Sequence, residues 1–107
     1  MDNNMNMVRG DTLSFGMEFV DFDQDLETAY FTCKKNYDDD EPVFQKELGN
    51  GISKIETGKY VVRIAPEDTE NLDAGMYYYD LEIGANSDIF TILKGVLDIE
   101  PDVTRRD

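Results

Sequence analysis

The chain has 107 residues, 40% of them hydrophobic, which suits one domain with one core and leaves no room for a second domain. Six tyrosines and six phenylalanines supply large side chains for that core without a disulfide or a metal. The formal net charge of −14 opposes binding to nucleic-acid phosphates and anionic lipids, and no apolar run approaches the ~20 residues of a membrane span. We therefore expect neither nucleic acid nor membrane as a partner.

Cysteine content and the first residues indicate where the chain is made. Cys33 is the single cysteine, so an intrachain disulfide is excluded, and we expect it to be a small buried apolar residue. Residues 1–7 lack the basic start and apolar core of a signal peptide. Both features predict synthesis in a reducing cytoplasm.

Short runs of alternating apolar and polar residues predict β-strands separated by turns. In chain order the predicted strands are Asn4–Val8, Leu13–Phe19, Ala29–Lys35, Val43–Leu48, Lys59–Ala65, Met76–Ile83, Ile89–Lys94 and Val96–Glu100. The alternation is clearest in the second, fifth and sixth of these. It directs inward the residues Phe31, Cys33, Tyr60, Val62, Ile64, Tyr77, Tyr79, Leu81 and Ile83.

Four short features outside the clear alternation carry their own predictions. Gly95 interrupts the last apolar stretch and predicts a bulge or a bend. Residues 66–72 predict one helical turn, and residues 101–107 predict a frayed tail. In Arg9-Gly10-Asp11, Gly10 predicts a turn rather than an adhesion motif.

Residues 72–79 read Leu-Asp-Ala-Gly-Met-Tyr-Tyr-Tyr and are the most informative stretch. Asp73, Gly75 and Tyr77 have the spacing of a tyrosine corner, in which a strand tyrosine hydrogen-bonds to backbone a few residues upstream. Antibody domains place a cysteine two residues later, where this chain has Tyr79. We predict an all-β, immunoglobulin-like antiparallel sandwich of seven or eight strands over residues 1–107, with residues 1–8 as an N-terminal arm or edge strand.

Catalytic and metal-binding patterns are weak in this sequence. The chain has no histidine, which removes the commonest general base and the usual nucleophile triads, so we expect no enzyme activity and no cofactor. Asp21, Asp23 and Asp25 resemble the start of a calcium loop, but Leu26 and Thr32 occupy the positions that need Gly and Glu. We expect solvated turns there and in the acidic run 38–41, with a weak surface calcium site as the alternative.

Two groups of residues are predicted to contact partners. Met76 and Tyr78 alternate with the inward residues of their strand and therefore face outward. Met5 and Met7 alternate with asparagines in the N-terminal arm, a pattern suited to strand addition onto a neighbouring protein. Methionine and tyrosine are enriched in interface cores.

Several motifs together resemble a known group of domains. They are Arg9-Gly10-Asp11-Thr12 before a strand, Pro66-Glu67-Asp68-Thr69, the 72–79 segment continued by Asp80-Leu81, then Gly95, and a closing Asp102-Val103-Thr104. This pattern resembles the immunoglobulin-like sandwich domains of tailed bacteriophages and prophages of Gram-positive bacteria. It is similar to the N-terminal domain of baseplate upper proteins and to related tail and capsid accessory proteins.

The resemblance implies a non-enzymatic virion protein, made in the host bacterial cytoplasm, that binds other virion proteins and can form homo-oligomers in the assembly. Because the chain ends before any stalk or receptor-binding region, capsid decoration is favoured over a tail, neck or baseplate adaptor. One alternative is an acidic anti-defence inhibitor that mimics nucleic acid. Another is a glycan-binding module, for which the candidate aromatic platform is Tyr30, Tyr37 and Tyr78.

Overall fold

The computed structural model describes residues 3–20 and 24–104, and this part of the chain is all-β apart from one short helix. The elements are β1 Met5–Val8, β2 Leu13–Glu18, β3 Thr28–Lys34, β4 Phe44–Leu48, β5 Gly51–Glu56, β6 Lys59–Ile64, α1 Pro66–Thr69, β7 Gly75–Ala85 and β8 Asp88–Glu100. The strands form one sheet in the order β1-β8-β7-β3-β4-β5-β6-β2, nearly closed into a barrel-like shape. The predicted all-β class is confirmed.

The hydrophobic core is built from the residues that the alternation directs inward. Tyr60 and Leu81 are buried, as are the other inward members of β6 and β7. Phe31 lies at the centre and stacks on Tyr79, with ring centroids 5.1 Å apart. Burial also raises the pKa of the Cys33 thiol to about 12, so this cysteine is protonated and unreactive at neutral pH.

The shortest strand pairing in the sheet is that between β4 and β5. These strands run parallel and pair through Glu47 with Gly51 and Leu48 with Ile52. Strand β5 was not predicted, because Ile52 is its one buried residue and the following positions are exposed on both faces. A strand with so little alternation has no signature in the sequence.

The predicted hydrogen bond of the tyrosine corner is present where α1 leads into β7. The hydroxyl of Tyr77 donates to the backbone carbonyl of Asp73 across 2.7 Å. Gly75 lies between them with φ +143°, a value that side-chain-bearing residues rarely adopt. Burial raises the pKa of Tyr77, and the nearby charge of Asp73 raises it further, so the hydroxyl keeps its proton and remains a donor.

The N-terminal segment is an edge strand of this sheet. Strand β1 pairs in parallel with the end of β8, from Met5 opposite Leu97 to Val8 opposite Glu100. Upstream of β1, the side-chain oxygen of Asn4 accepts a 3.0 Å hydrogen bond from the backbone N–H of Val96. The edge-strand alternative for residues 1–8 is therefore the one found over the described residues 5–8.

The structure corrects the expectation for Gly95. Strand β8 runs through this residue without a break, and the irregularity lies at Ile92, between the pairs Leu81 with Leu93 and Glu82 with Thr91. A Cβ atom at Gly95 would lie 2.6 Å from the carbonyl oxygen of Asn3. Glycine is needed here because the N-terminal backbone crosses in direct contact, not because the strand bends.

Within the tail that the sequence predicts to be frayed, Asp102 is held against the folded domain. The side chain of Asp102 accepts a hydrogen bond of 2.8 Å from Arg9 Nε, and both side chains are largely buried. A second guanidinium nitrogen of Arg9 donates to the carbonyl of Leu72, 3.1 Å away. Arg9 thus joins the first turn, the tail and the corner, which supports the structural interpretation of Arg9-Gly10-Asp11. Residues 105–107 lie outside the described residues.

We predict that Tyr77→Phe lowers the free energy of unfolding by about 1 kcal/mol, the net contribution of one hydrogen bond. The loss stays near this value because Asp73 is exposed and water can reach its carbonyl. Denaturant melts measure it, with Tyr78→Phe as the matched control that removes a hydroxyl from the opposite face. Equal stability of the two variants would mean that the corner hydrogen bond contributes nothing to the free energy of unfolding.

Candidate binding face

The outward side chains of β8, β7, β3 and β4 form a continuous polar surface. The pairing of these strands arranges the surface in three rows: Val96 with Tyr78 and Lys34; Lys94 with Asp80, Thr32 and Gln45; and Glu82 with Tyr30 and Glu47. In the middle row, Gln45 Nε2 donates to Thr32 Oγ1 across 2.8 Å. Antiparallel pairing of β8 with β7, of β7 with β3 and of β3 with β4 sets the positions of these side chains.

A pair of stacked tyrosines occupies one end of this surface. Tyr37, from the loop between β3 and β4, lies over Tyr78 of β7 with ring centroids 4.2 Å apart and planes inclined by 29°. The ammonium group of Lys94 is 5.6 Å from the centroid of the Tyr37 ring, within the range of a cation–π interaction. Tyr37 remains 58% exposed, so its ring is available to a partner.

The loop that carries Tyr37 is held by its own hydrogen bonds. The backbone N–H of Asn36 donates to the Asp39 carboxylate across 3.0 Å. The backbone N–H of Asp39 donates in return to the Asn36 carbonyl across 3.2 Å. The acidic run 38–41 therefore includes a residue that fixes the turn behind the tyrosine stack.

A groove of about 490 Å³ runs along the surface and is lined by Tyr30, Tyr37 and Tyr78 together with Lys34, Asp80 and Lys94. We call this surface the tyrosine face. Two lysines lie among its carboxylates, so the face has mixed charge although the chain is strongly acidic. Aromatic rings beside positively and negatively charged groups suit a partner that has both polar and apolar parts.

The residues predicted to contact partners differ in exposure. Tyr78 lies on the tyrosine face, and Met76 on the same strand is 57% exposed. Met7 is 6% exposed and belongs to the hydrophobic core, and Met5 packs against that core. The prediction that the arm offers Met5 and Met7 to a partner is corrected, because pairing of β1 with β8 turns both side chains inward.

Of the three candidate calcium ligands, Asp25 lies within the described residues. Asp21 and Asp23 lie outside the described residues. Asp25 pairs with Lys54 Nζ at 2.7 Å, and this hydrogen bond raises the pKa of Lys54. Within residues 3–20 and 24–104, no group of three metal-ligating side chains is close enough to hold an ion.

Sequence reasoning missed the polar members of the tyrosine face. Lys34, Gln45 and Lys94 come from separate strands, and they meet because of the pairing register. Alternation within each strand directs them outward, which is a local signal. Which strands are neighbours is not a local property, so the rows across the sheet could not be predicted.

No protein-family model matches the chain, and comparison with curated proteins gives no sequence match. Across the described residues, no helix has the length and apolar character needed to cross a membrane.

Proposed function

We propose that this chain is a non-enzymatic structural protein of a tailed-phage particle, in which an immunoglobulin-like sandwich binds other virion proteins through the tyrosine face. Capsid decoration is the favoured role, and the alternative is an adaptor in the tail, neck or baseplate. The observation that carries the proposal is the exposed stack of Tyr37 on Tyr78 above a groove of mixed charge.

Strand order supports the immunoglobulin-like assignment. Dividing the sheet at the short β4–β5 junction leaves one layer of β1-β8-β7-β3-β4 and another of β5-β6-β2. In an immunoglobulin sandwich, strands C, F and G share one layer, strands B, E and D share the other, and the tyrosine corner begins strand F. Numbering β2 as strand B gives the same grouping here and places Tyr77 at the start of strand F.

The composition of the tyrosine face supports a protein partner. Tyrosine provides contact area at a small entropic cost and is enriched at interfaces. Lys34 and Lys94 beside Asp80 provide both signs of charge, which allows specific pairing with a partner surface. A nucleic-acid mimic would instead concentrate carboxylates on its binding face, so the mixed charge favours the structural role over the anti-defence role.

We expect Tyr37→Ala to lower the copy number of the protein in purified particles. Removing the exposed ring destroys the stack, and loss of about 1.4 kcal/mol of binding energy weakens attachment about tenfold. Tyr37→Phe, which keeps the stack, should retain most of the occupancy. Ile55→Ala is the matched control, because Ile55 is 63% exposed on β5, away from this face.

Quantitative mass spectrometry of particles measures the occupancy, and cross-linking identifies the neighbour as a capsid or a tail protein. Full occupancy by both Tyr37→Ala and Tyr78→Ala would contradict binding through the tyrosine face. Absence of the wild-type protein from particles, with abundant protein in infected cells, would contradict the structural role and favour the anti-defence alternative.

A second candidate function is glycan binding, and one observation favours it. The three tyrosines that the sequence offers as a platform, Tyr30, Tyr37 and Tyr78, line one groove together with the hydrogen-bonding side chains of Gln45 and Asp80. Sugar rings stack on aromatic faces while their hydroxyls bond to neighbouring polar groups.

If the groove binds glycans, fragments of host cell-wall polysaccharide should shift the NMR signals of these three tyrosines in a saturable way. Tyr78→Ala should abolish the shifts, while Ile55→Ala should leave them unchanged. Wild-type spectra that stay the same at millimolar saccharide would rule this candidate out.

A further inference from the structure

The turn between β4 and β5 contains an asparagine followed directly by a glycine, Asn50 and Gly51. Gly49 and Gly51, on either side of the asparagine, have φ +89° and +100°, values that favour glycine. The side chain of Asn50 is exposed to solvent. The turn is closed by Glu47, whose backbone N–H donates to the Asn50 carbonyl across 2.9 Å and whose carbonyl accepts from the Asn50 N–H across 2.8 Å.

Asparagine is thermolabile, and it loses its side-chain amide without an enzyme when a glycine follows it. The backbone nitrogen of the glycine, once deprotonated, bonds to the side-chain carbonyl carbon and expels ammonia, which leaves a succinimide ring. Glycine permits this approach best because it has no side chain to hinder the nitrogen. Water then opens the ring at either carbonyl, giving aspartate or isoaspartate. The net reaction consumes a water, releases an ammonia and involves no oxidation or reduction.

The structure leaves the Gly51 nitrogen in a position to react. The amides of Glu47, Gly49 and Asn50 donate the backbone hydrogen bonds that close this turn. On the other side of β5, pairing with β6 begins at Ile52. Neither set of contacts uses the Gly51 N–H. Because β4 and β5 are joined by two residue pairs, little of the sheet has to open for the turn to reach the reacting geometry.

The turn between β7 and β8 provides a contrast within the same molecule. It contains Asn86 and Ser87, which are both exposed and have φ +54° and +67°. The Ser87 N–H, however, donates to the Glu27 carboxylate across 2.9 Å. This charge-assisted hydrogen bond holds the proton on the nitrogen that would have to attack Asn86, and the serine side chain hinders its approach. Two exposed turns thus differ in the state of the attacking nitrogen.

We propose that Asn50 is a site of spontaneous deamidation, at which the chain acquires an additional carboxylate at the junction of β4 with β5. The co-reactant is water, and the reacting groups are the Asn50 side chain and the Gly51 nitrogen. The site does not depend on the function proposed above.

The two products differ in their effect on the sheet. Aspartate keeps the backbone and adds a negative charge at an exposed position. Isoaspartate inserts a carbon into the chain between Asn50 and Gly51, inside the turn that sets the pairs Glu47 with Gly51 and Leu48 with Ile52. These are the two residue pairs that join β4 to β5, so the isoaspartyl chain should open this junction.

Ageing of the purified full chain tests the site. The wild type is kept in sterile neutral and mildly alkaline buffers, and peptide mapping by mass spectrometry follows each asparagine of the described residues. Asn50 should deamidate several times faster than Asn86, and faster in the alkaline buffer, because the attacking nitrogen must lose its proton. Glu27→Ala, which releases the Ser87 N–H, should raise the rate at Asn86 and leave the rate at Asn50 unchanged.

Two variants separate the reaction from its structural effect. Asn50→Gln should block the reaction, because glutamine cyclises far more slowly, and its melting temperature should stay constant during ageing. Freshly purified Asn50→Asp carries the charge without the extra carbon and should melt close to the fresh wild type. The isoaspartyl form, separated by chromatography from the aged wild type, should melt at a lower temperature.

An aged wild type in which Asn50 keeps its amide as long as Asn86 does would overturn the proposal. Loss of the amide at the same rate in both buffers would overturn the succinimide route. An isoaspartyl form that melts like the fresh wild type would contradict the predicted opening of the junction between β4 and β5.

Discussion

The pairing of β1 with the last part of β8 is the contact on which the rest of this structure depends. β1 is 4 residues long and β8 is 13, so the N-terminal strand closes one end of a much longer edge. Where it pairs, Met7 enters the core, and Gly95 accommodates the approaching backbone. Where it does not reach, the sheet leaves apolar side chains exposed. A single difference in strand length therefore creates both a closed core and an open edge.

Strand β7 connects the core to the tyrosine face. Of its inward residues, Tyr77 forms the tyrosine corner, and Tyr79 and Leu81 lie in the core. Its outward residues Tyr78 and Asp80 lie on the tyrosine face. Because side chains alternate along a strand, the packing that orders the inward residues also fixes the outward ones. The tyrosine face is thus preorganised by the strand that carries it, which lowers the entropic cost of binding.

Local signals predict much of this fold, and long-range contacts account for the rest. Alternation correctly directs Tyr60, Phe31 and Leu81 inward, since burial of one sheet face is a local pattern. The spacing of Asp73 and Tyr77 predicts their hydrogen bond for the same reason. By contrast, the burial of Met7, the role of Gly95 and the ion pair of Arg9 with Asp102 depend on residues more than eighty positions apart in sequence. The rows of the tyrosine face depend on strand order in the same way.

Hydrogen exchange along β8 tests the central claim that one half of the outer side of this strand is covered and the other half is open. In dilute solution, the outward amides of residues 88–94 should exchange quickly, whereas the amide of Val96 and those of residues 97–100 should exchange slowly. Outward amides of residues 88–94 that are protected as strongly as those of residues 97–100 would contradict the account.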